Sequence, residues 1–180
     1  MKSPIKIFIF LIFFASNLIA QSITYEGADK CKICHNVKAK GSQYDVWKNN
    51  PHAKAFETLA SPKAIEIAKK KGIENPQRSD QCLKCHLTAY NVDKKLLGKR
   101  FKISDGVGCE SCHGAGGQYS TMPIMKKLNM GEIDGESVGL IKITEKVCLE
   151  CHNKQSPTFK GFDYDSYTKN IAHPLTLNVK

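Results

Sequence analysis

The hydrophobic pattern opens with a block unlike anything later in the chain. Lys2 and Lys6 precede an apolar run from Ile7 to Phe14, which resumes at Leu18 and Ile19 around Ser16 and Asn17 and ends on the small residue Ala20. A basic start, a short apolar core and a small terminal residue are the layout of a secretory signal peptide. The run is about 14 residues, against the roughly 20 needed to cross a bilayer, so cleavage is expected rather than anchoring, although Leu18 fits an A-x-A site poorly. Residues 1–20 are therefore read as the signal and 21–180 as one mature domain of about 160 residues. No later stretch approaches transmembrane length, so no stable membrane insertion is expected after processing.

Beyond the leader the apolar positions follow helical spacing in short pieces. Pro51 suits a first helical turn, and His52, Ala55, Phe56 and Leu59 follow at i, i+3, i+4 and i+7. The histidine thus shares the predicted buried face. Ser61-Pro62 opens a second helix through Ala64, Ile65 and Ala68, ending near Gly72. Its Lys69-Lys70-Lys71 run is a solvated last turn or a docking patch. Asn91 to Ser104 places Leu97, Phe101 and Ile103 among lysines and arginine, a pattern read as a short hairpin. Gly106 to Gly117 is glycine-rich, which suits close approach of backbone to a bound group. Pro123 to Met130 is read as a further short helix. The expected fold is mainly α, with little regular structure and long loops.

The cysteines decide the class. All eight lie in C-x-x-C pairs, and a histidine follows each pair at once: Cys31, Cys34 and His35; Cys82, Cys85 and His86; Cys109, Cys112 and His113; Cys148, Cys151 and His152. This is the attachment signature of c-type haem. Two thiols three residues apart on one helical turn reach both vinyl groups of one porphyrin, and the next residue sets its imidazole over the iron. Four disulfides, two zinc sites or a redox dithiol are the competing readings, but none requires a histidine after every second cysteine. Four haem c groups leave roughly 40 residues for each, too few to wrap them singly. The expected core is therefore built from stacked haems, and the chain without them is expected to be disordered. The motif intervals differ, so there is no repeat period.

The net charge of +10 falls to +8 without Lys2 and Lys6. Basic chains often meet polyanions, but haem propionates supply an internal counterpart to this surplus. Nucleic acid is not an expected partner.

Counting axial positions narrows the chemistry. Of six histidines, four are spoken for by the motifs, leaving His52 and His173 as candidate distal ligands. At least two irons then need something else or stay open. Met122, Met125 and Met130 fall together after the third motif, where a thioether could ligate or simply fill the core. Tyr119 is a weaker candidate.

Several of these segments resemble the cytochrome c554 family: Trp47 and Pro51-His52-Ala53-Lys54-Ala55 after the first motif, Cys85-His86-Leu87-Thr88, and Gly106-Val107-Gly108 running through the third motif to Gly114-Ala115-Gly116. The resemblance extends from about Gly27 to Leu175. It implies a periplasmic, mainly helical tetrahaem protein with haems in stacked pairs, able to accept electrons from a hydroxylamine oxidoreductase. It also implies His52 and His173 as distal ligands and an open, five-coordinate iron over His86. The family usually has another histidine after the third motif, but Gly117 to Pro123 contains none. Either a methionine substitutes there or a second iron is open.

Three functions follow: an electron carrier between redox proteins, a reductase of a small ligand such as nitric oxide at an open haem, or a unit of a haem assembly. An enzyme would need an acid–base group beside its open iron, and only Arg78, Arg100 and Tyr90 offer themselves. A filament would need histidines to donate, and none is spare. Electron transfer is the reading the residues favour.

Overall fold

The computed structural model describes residues 23–173. The leader expected at 1–20 lies outside them. Among the described residues the α-helices are α1 (Ala28–His35), α2 (Gln43–Lys48), α3 (Ala55–Thr58), α4 (Pro62–Lys70), α5 (Asp80–His86), α6 (Cys109–His113), α7 (Met122–Asn129), α8 (Glu145–Leu149) and α9 (Tyr164–Lys169). Short 3-10 turns join them. None of these helices is long and apolar enough to cross a membrane. The mainly helical, loop-rich architecture agrees with the sequence.

The helix starts have local causes. Ser61 Oγ accepts from Ala64 N at 3.2 Å, with Pro62 at the first helical position of α4. Asp163 Oδ1 accepts from Ser166 N at 2.8 Å and opens α9. Both are N-caps that satisfy donors left free at a helix start. The apolar face of α4 differs from expectation. Ala68 is buried at its centre, whereas Ile65 is 53% exposed, because the face turns through Ala64 and Ile67 instead. The segment after Pro51 is also less regular than a single helix. It runs as a 3-10 turn over Pro51–Lys54 before α3, and the tighter turn brings Ala53 rather than Ala55 to full burial.

The hairpin expected over 91–104 does not form. Asp93 Oδ1 accepts from Lys95 N at 3.0 Å and winds Lys94–Leu96 into a 3-10 turn, and Ile103 is 52% exposed. What remains of β structure among the described residues is one parallel bridge, Tyr25 to Leu97.

The protein's own core is small. Ala28, Trp47 and Ala53 form its centre, with Tyr44 and Cys109 against it. Trp47 Nε1 donates to Val107 O at 2.9 Å, and Val107 N donates to His52 O at 3.0 Å. These bonds tie the approach to the third motif onto the His52 turn. The contact is close enough to require glycine. At Gly106, where φ is +59°, a Cβ would stand 2.9 Å from His52 O. Glycine freedom at Gly106 serves backbone meeting backbone.

Candidate haem-binding site

Each C-x-x-C-H motif ends a short helix: α1, α5 and α6 close on His35, His86 and His113. In the fourth, α8 ends at Leu149, but His152 N still bonds Cys148 O at 2.9 Å and continues the turn. One helical turn therefore sets both cysteines on one side, with the histidine immediately after, as haem attachment requires. All eight cysteines are free and half-buried.

The motifs meet across the fold. The thiols of Cys31 and Cys109 lie close enough to interact, as do those of Cys85 and Cys151, and Cys112 lies near Cys148. Motifs one and three are neighbours, as are two and four, and three adjoins four. Burial pushes the Cys112 and Cys148 thiols up, whereas the neighbouring Cys31 thiol holds Cys109 down. Among the described residues no three His, Cys, Asp or Glu side chains converge as a cluster.

The six histidines sort themselves by ring contacts. His52 faces His152 with ring centres 5.9 Å apart and planes crossed at 89°. His113 faces His173 at 5.8 Å with planes at 33°. A first-row metal sits ~2 Å from each imidazole nitrogen, so rings on either side of it stand about 6 Å apart. Both pairs fit an iron between them. His52 and His173 each also bury an Nδ1 that no protein group satisfies, a costly condition for a side chain without an external partner. Burial holds His113 down to about 4, with His173 and His35 adding to the effect, and lowers His52, His152 and His173 as well. Neutral imidazoles are the form that binds metal. No ring contact among the described residues gives His35 or His86 a second imidazole. His86 Nδ1 pairs with Ala55 O at 2.7 Å, which leaves Nε2 free to ligate.

Of the three methionines, Met122 is 62% and Met130 50% exposed, while Met125 is half-buried on α7. Tyr119 is committed elsewhere. It is 5% exposed, and its hydroxyl donates to Gly114 O at 2.7 Å, capturing a carbonyl just past the end of α6. That removes it from the candidate ligands.

Two groups in this region were not legible as functional. Glu110, between the cysteines of the third motif, is buried and accepts from Glu26 N at 2.8 Å, Gly27 N at 2.8 Å and Gly116 N at 2.6 Å. Desolvation raises its pKa although those three donors pull the other way. Thr88, buried two residues after the second motif, donates to Gly106 O at 2.9 Å and accepts from Gly108 N at 2.7 Å. These two side chains fix the start of α6 from both sides. A threonine after a haem motif and an acid inside one look like surface residues until their partners are known.

The chain is similar to known multihaem cytochromes. Residues 30–114 match the family model described as cytochrome c554 and c-prime. Cytochrome c-554 of Nitrosomonas europaea is 33% identical over 106 residues, covering 56% of this chain and 43% of that protein. The multiheme cytochrome MtrA of Shewanella baltica is 24% identical over 128 residues, covering 65% and 38%. The chain thus spans less than half the length of these curated relatives. The solved structure of reduced cytochrome c554 from Nitrosomonas europaea superposes with a TM-score of 0.51 at 26% identity, covering 83% of this chain and 78% of that one. Family model, relative and fold point the same way: over residues 30–114 the chain is similar to the cytochrome c554 family, and it shares the fold of the solved cytochrome c554.

Proposed function

We propose that this protein is an exported electron carrier of the periplasm, moving single electrons between redox proteins along four covalently held haems. The observation that carries this reading is the contiguity of the four motifs, with thiols of different motifs close enough to interact. Haem supplies one-electron redox cycling when bound. The chain's residues hold it: the eight motif cysteines by thioether bonds, and His35, His86, His113 and His152 as proximal ligands. The 5.9 and 5.8 Å ring pairs support His52 as distal ligand to the His152 iron and His173 to the His113 iron.

Met125 completes the iron over His35 in this reading. Gly117 N donates to Thr24 O at 2.9 Å, and Glu110 binds Gly116 N together with the residues that start α1. The chain leading into α7 is thereby anchored beside the first motif. An open cleft of about 570 Å³, lined by Lys63, Lys70, Lys71 and Lys160 around Ile67 and Pro157, suits the acidic face of an electron donor. A hydroxylamine oxidoreductase-like protein is the donor the family resemblance suggests.

A second reading, reduction of a small ligand such as nitric oxide, draws on the His86 imidazole having no second imidazole opposite it. Low-temperature EPR of the oxidised holoprotein tests the ligand assignments. Under the carrier reading, His52→Ala and His173→Ala each turn one low-spin haem high-spin, and Met125→Ala does the same to a third. An unchanged spin count in any of these variants removes that ligand assignment. The His86 iron, left without a distal ligand, gives a high-spin ferric signal under either reading, so the enzyme is told apart by turnover: catalytic consumption of nitric oxide by the reduced holoprotein moves the function towards the enzyme, and stoichiometric binding alone leaves the carrier.

A further inference from the structure

The His152 imidazole is packed as if its rotation mattered. Phe162 stacks on it with ring centres 5.0 Å apart and planes at 25°, and Tyr167 meets it edge-on at 5.6 Å and 75°. Phe162 and Tyr167 in turn pack on each other at 4.7 Å and 61°, so the three rings close a triangle. Aromatic contacts of this kind favour defined ring orientations over free rotation. The opposite member of the pair is held through the same segment. Asn50 Oδ1 accepts from His52 N at 3.1 Å, while Asn50 Nδ2 donates to Asn170 O at 3.1 Å, just past α9. One loop-and-helix unit, 162–170, therefore references both imidazoles. The third-motif pair differs, since no aromatic stack among the described residues braces His113 or His173 beyond their contact with each other.

We propose that Phe162 and Tyr167 are positioning residues that hold the His152 imidazole crossed against that of His52, and so make the fourth-motif iron electronically distinct from the third-motif iron. The inference rests on the ligand pairs proposed above. The physical ground is the symmetry of the iron dπ orbitals. Imidazoles crossed at 89° donate equally into both dπ orbitals and leave them nearly degenerate. Rings at 33° donate mainly into one and split them. Near-degeneracy gives a low-spin ferric signal of extreme anisotropy and stabilises the ferric form less, which raises the reduction potential. Groups behind a ligand set its orientation and thereby tune the metal. The fourth-motif haem then holds its electron more tightly than the third and sets the direction of flow within the chain.

The test is EPR with potentiometric titration on the holoprotein and three variants: Phe162→Leu, which keeps apolar volume without a ring face, Phe162→Tyr, which restores the face, and His52→Ala. The expected result is one strongly anisotropic low-spin signal beside a rhombic one. It shifts towards the rhombic form in Phe162→Leu, with a lower potential for one haem, and returns in Phe162→Tyr at unchanged haem content. An anisotropic signal that persists unshifted in Phe162→Leu overturns the inference. Failure of His52→Ala to produce a high-spin haem overturns the ligand pairing instead, so the two failures are told apart.

Discussion

Blocking haem attachment should leave no folded protein. With both cysteines of any one motif replaced by alanine, recovery of soluble chain should fall at least tenfold, and the residual chain should lose most far-ultraviolet helical signal. The reason lies in what the polypeptide buries by itself. Among the described residues the buried apolar ones are Ala28, Trp47, Ala53, Leu59, Ala68, Ala115 and Tyr119, and none of their side chains is completely enclosed. Only three of these are large, each stabilising by about 2 kcal/mol when buried. Ordering the backbone costs roughly 1–2 kcal/mol for every residue, so protein burial cannot hold a chain of this length. Ile33 and Leu149, inside the first and fourth motifs, are 58% and 41% exposed to anything but protein. A chain with one motif emptied that kept its helical signal and thermal transition would show the polypeptide to be self-sufficient and defeat this account.

Removing one carboxylate should do nearly as much damage with every haem in place. Glu110→Ala leaves the donors of Glu26, Gly27 and Gly116 facing a buried space without an acceptor. Each unsatisfied buried group costs about 1–3 kcal/mol, so the loss should be at least about 3 kcal/mol. Glu110→Gln should lie between, because its amide nitrogen must face one of those N–H groups. Denaturant unfolding of holoprotein, with haem content checked by absorbance, measures both. A loss below about 1 kcal/mol in Glu110→Ala would mean that water replaces the carboxylate and that the clamp is incidental.

These effects mark where sequence reading succeeded and where it stopped. The four C-x-x-C-H motifs are legible because their chemistry is local: spacing within one turn carries the whole signal. The short helices were legible for the same reason, and Ser61-Pro62 starts α4 where expected. Errors arose where local pattern gave way to tertiary environment. Ile65 matched a helical face yet points to solvent, and Leu97, Phe101 and Ile103 suggested a strand where Asp93 caps a 3-10 turn. The partners of the histidines were beyond sequence altogether, since His52 and His152 lie a hundred residues apart in the chain. Glu110 and Thr88 were missed because their roles consist of backbone donors and acceptors that no residue type announces. Phe162 and Tyr167 likewise acquire meaning only through the ring they enclose.

The Glu110 clamp also constrains how the molecule can be made. Its carboxylate reaches back 83 and 84 residues to Gly27 and Glu26, across the whole stretch that carries the first two motifs. A chain emerging from its N-terminus has the first motif in hand long before the group that locks it arrives. Until then the backbone donors of Glu26 and Gly27 lack their buried acceptor, and long-range closure of this kind is slow. The first two cysteine pairs are consequently presented on open chain, accessible to whatever machinery attaches haem, and the lock closes only after the third pair has appeared. Placing the clamp inside the third motif makes completion of the fold report that three of the four attachment sequences have been synthesised.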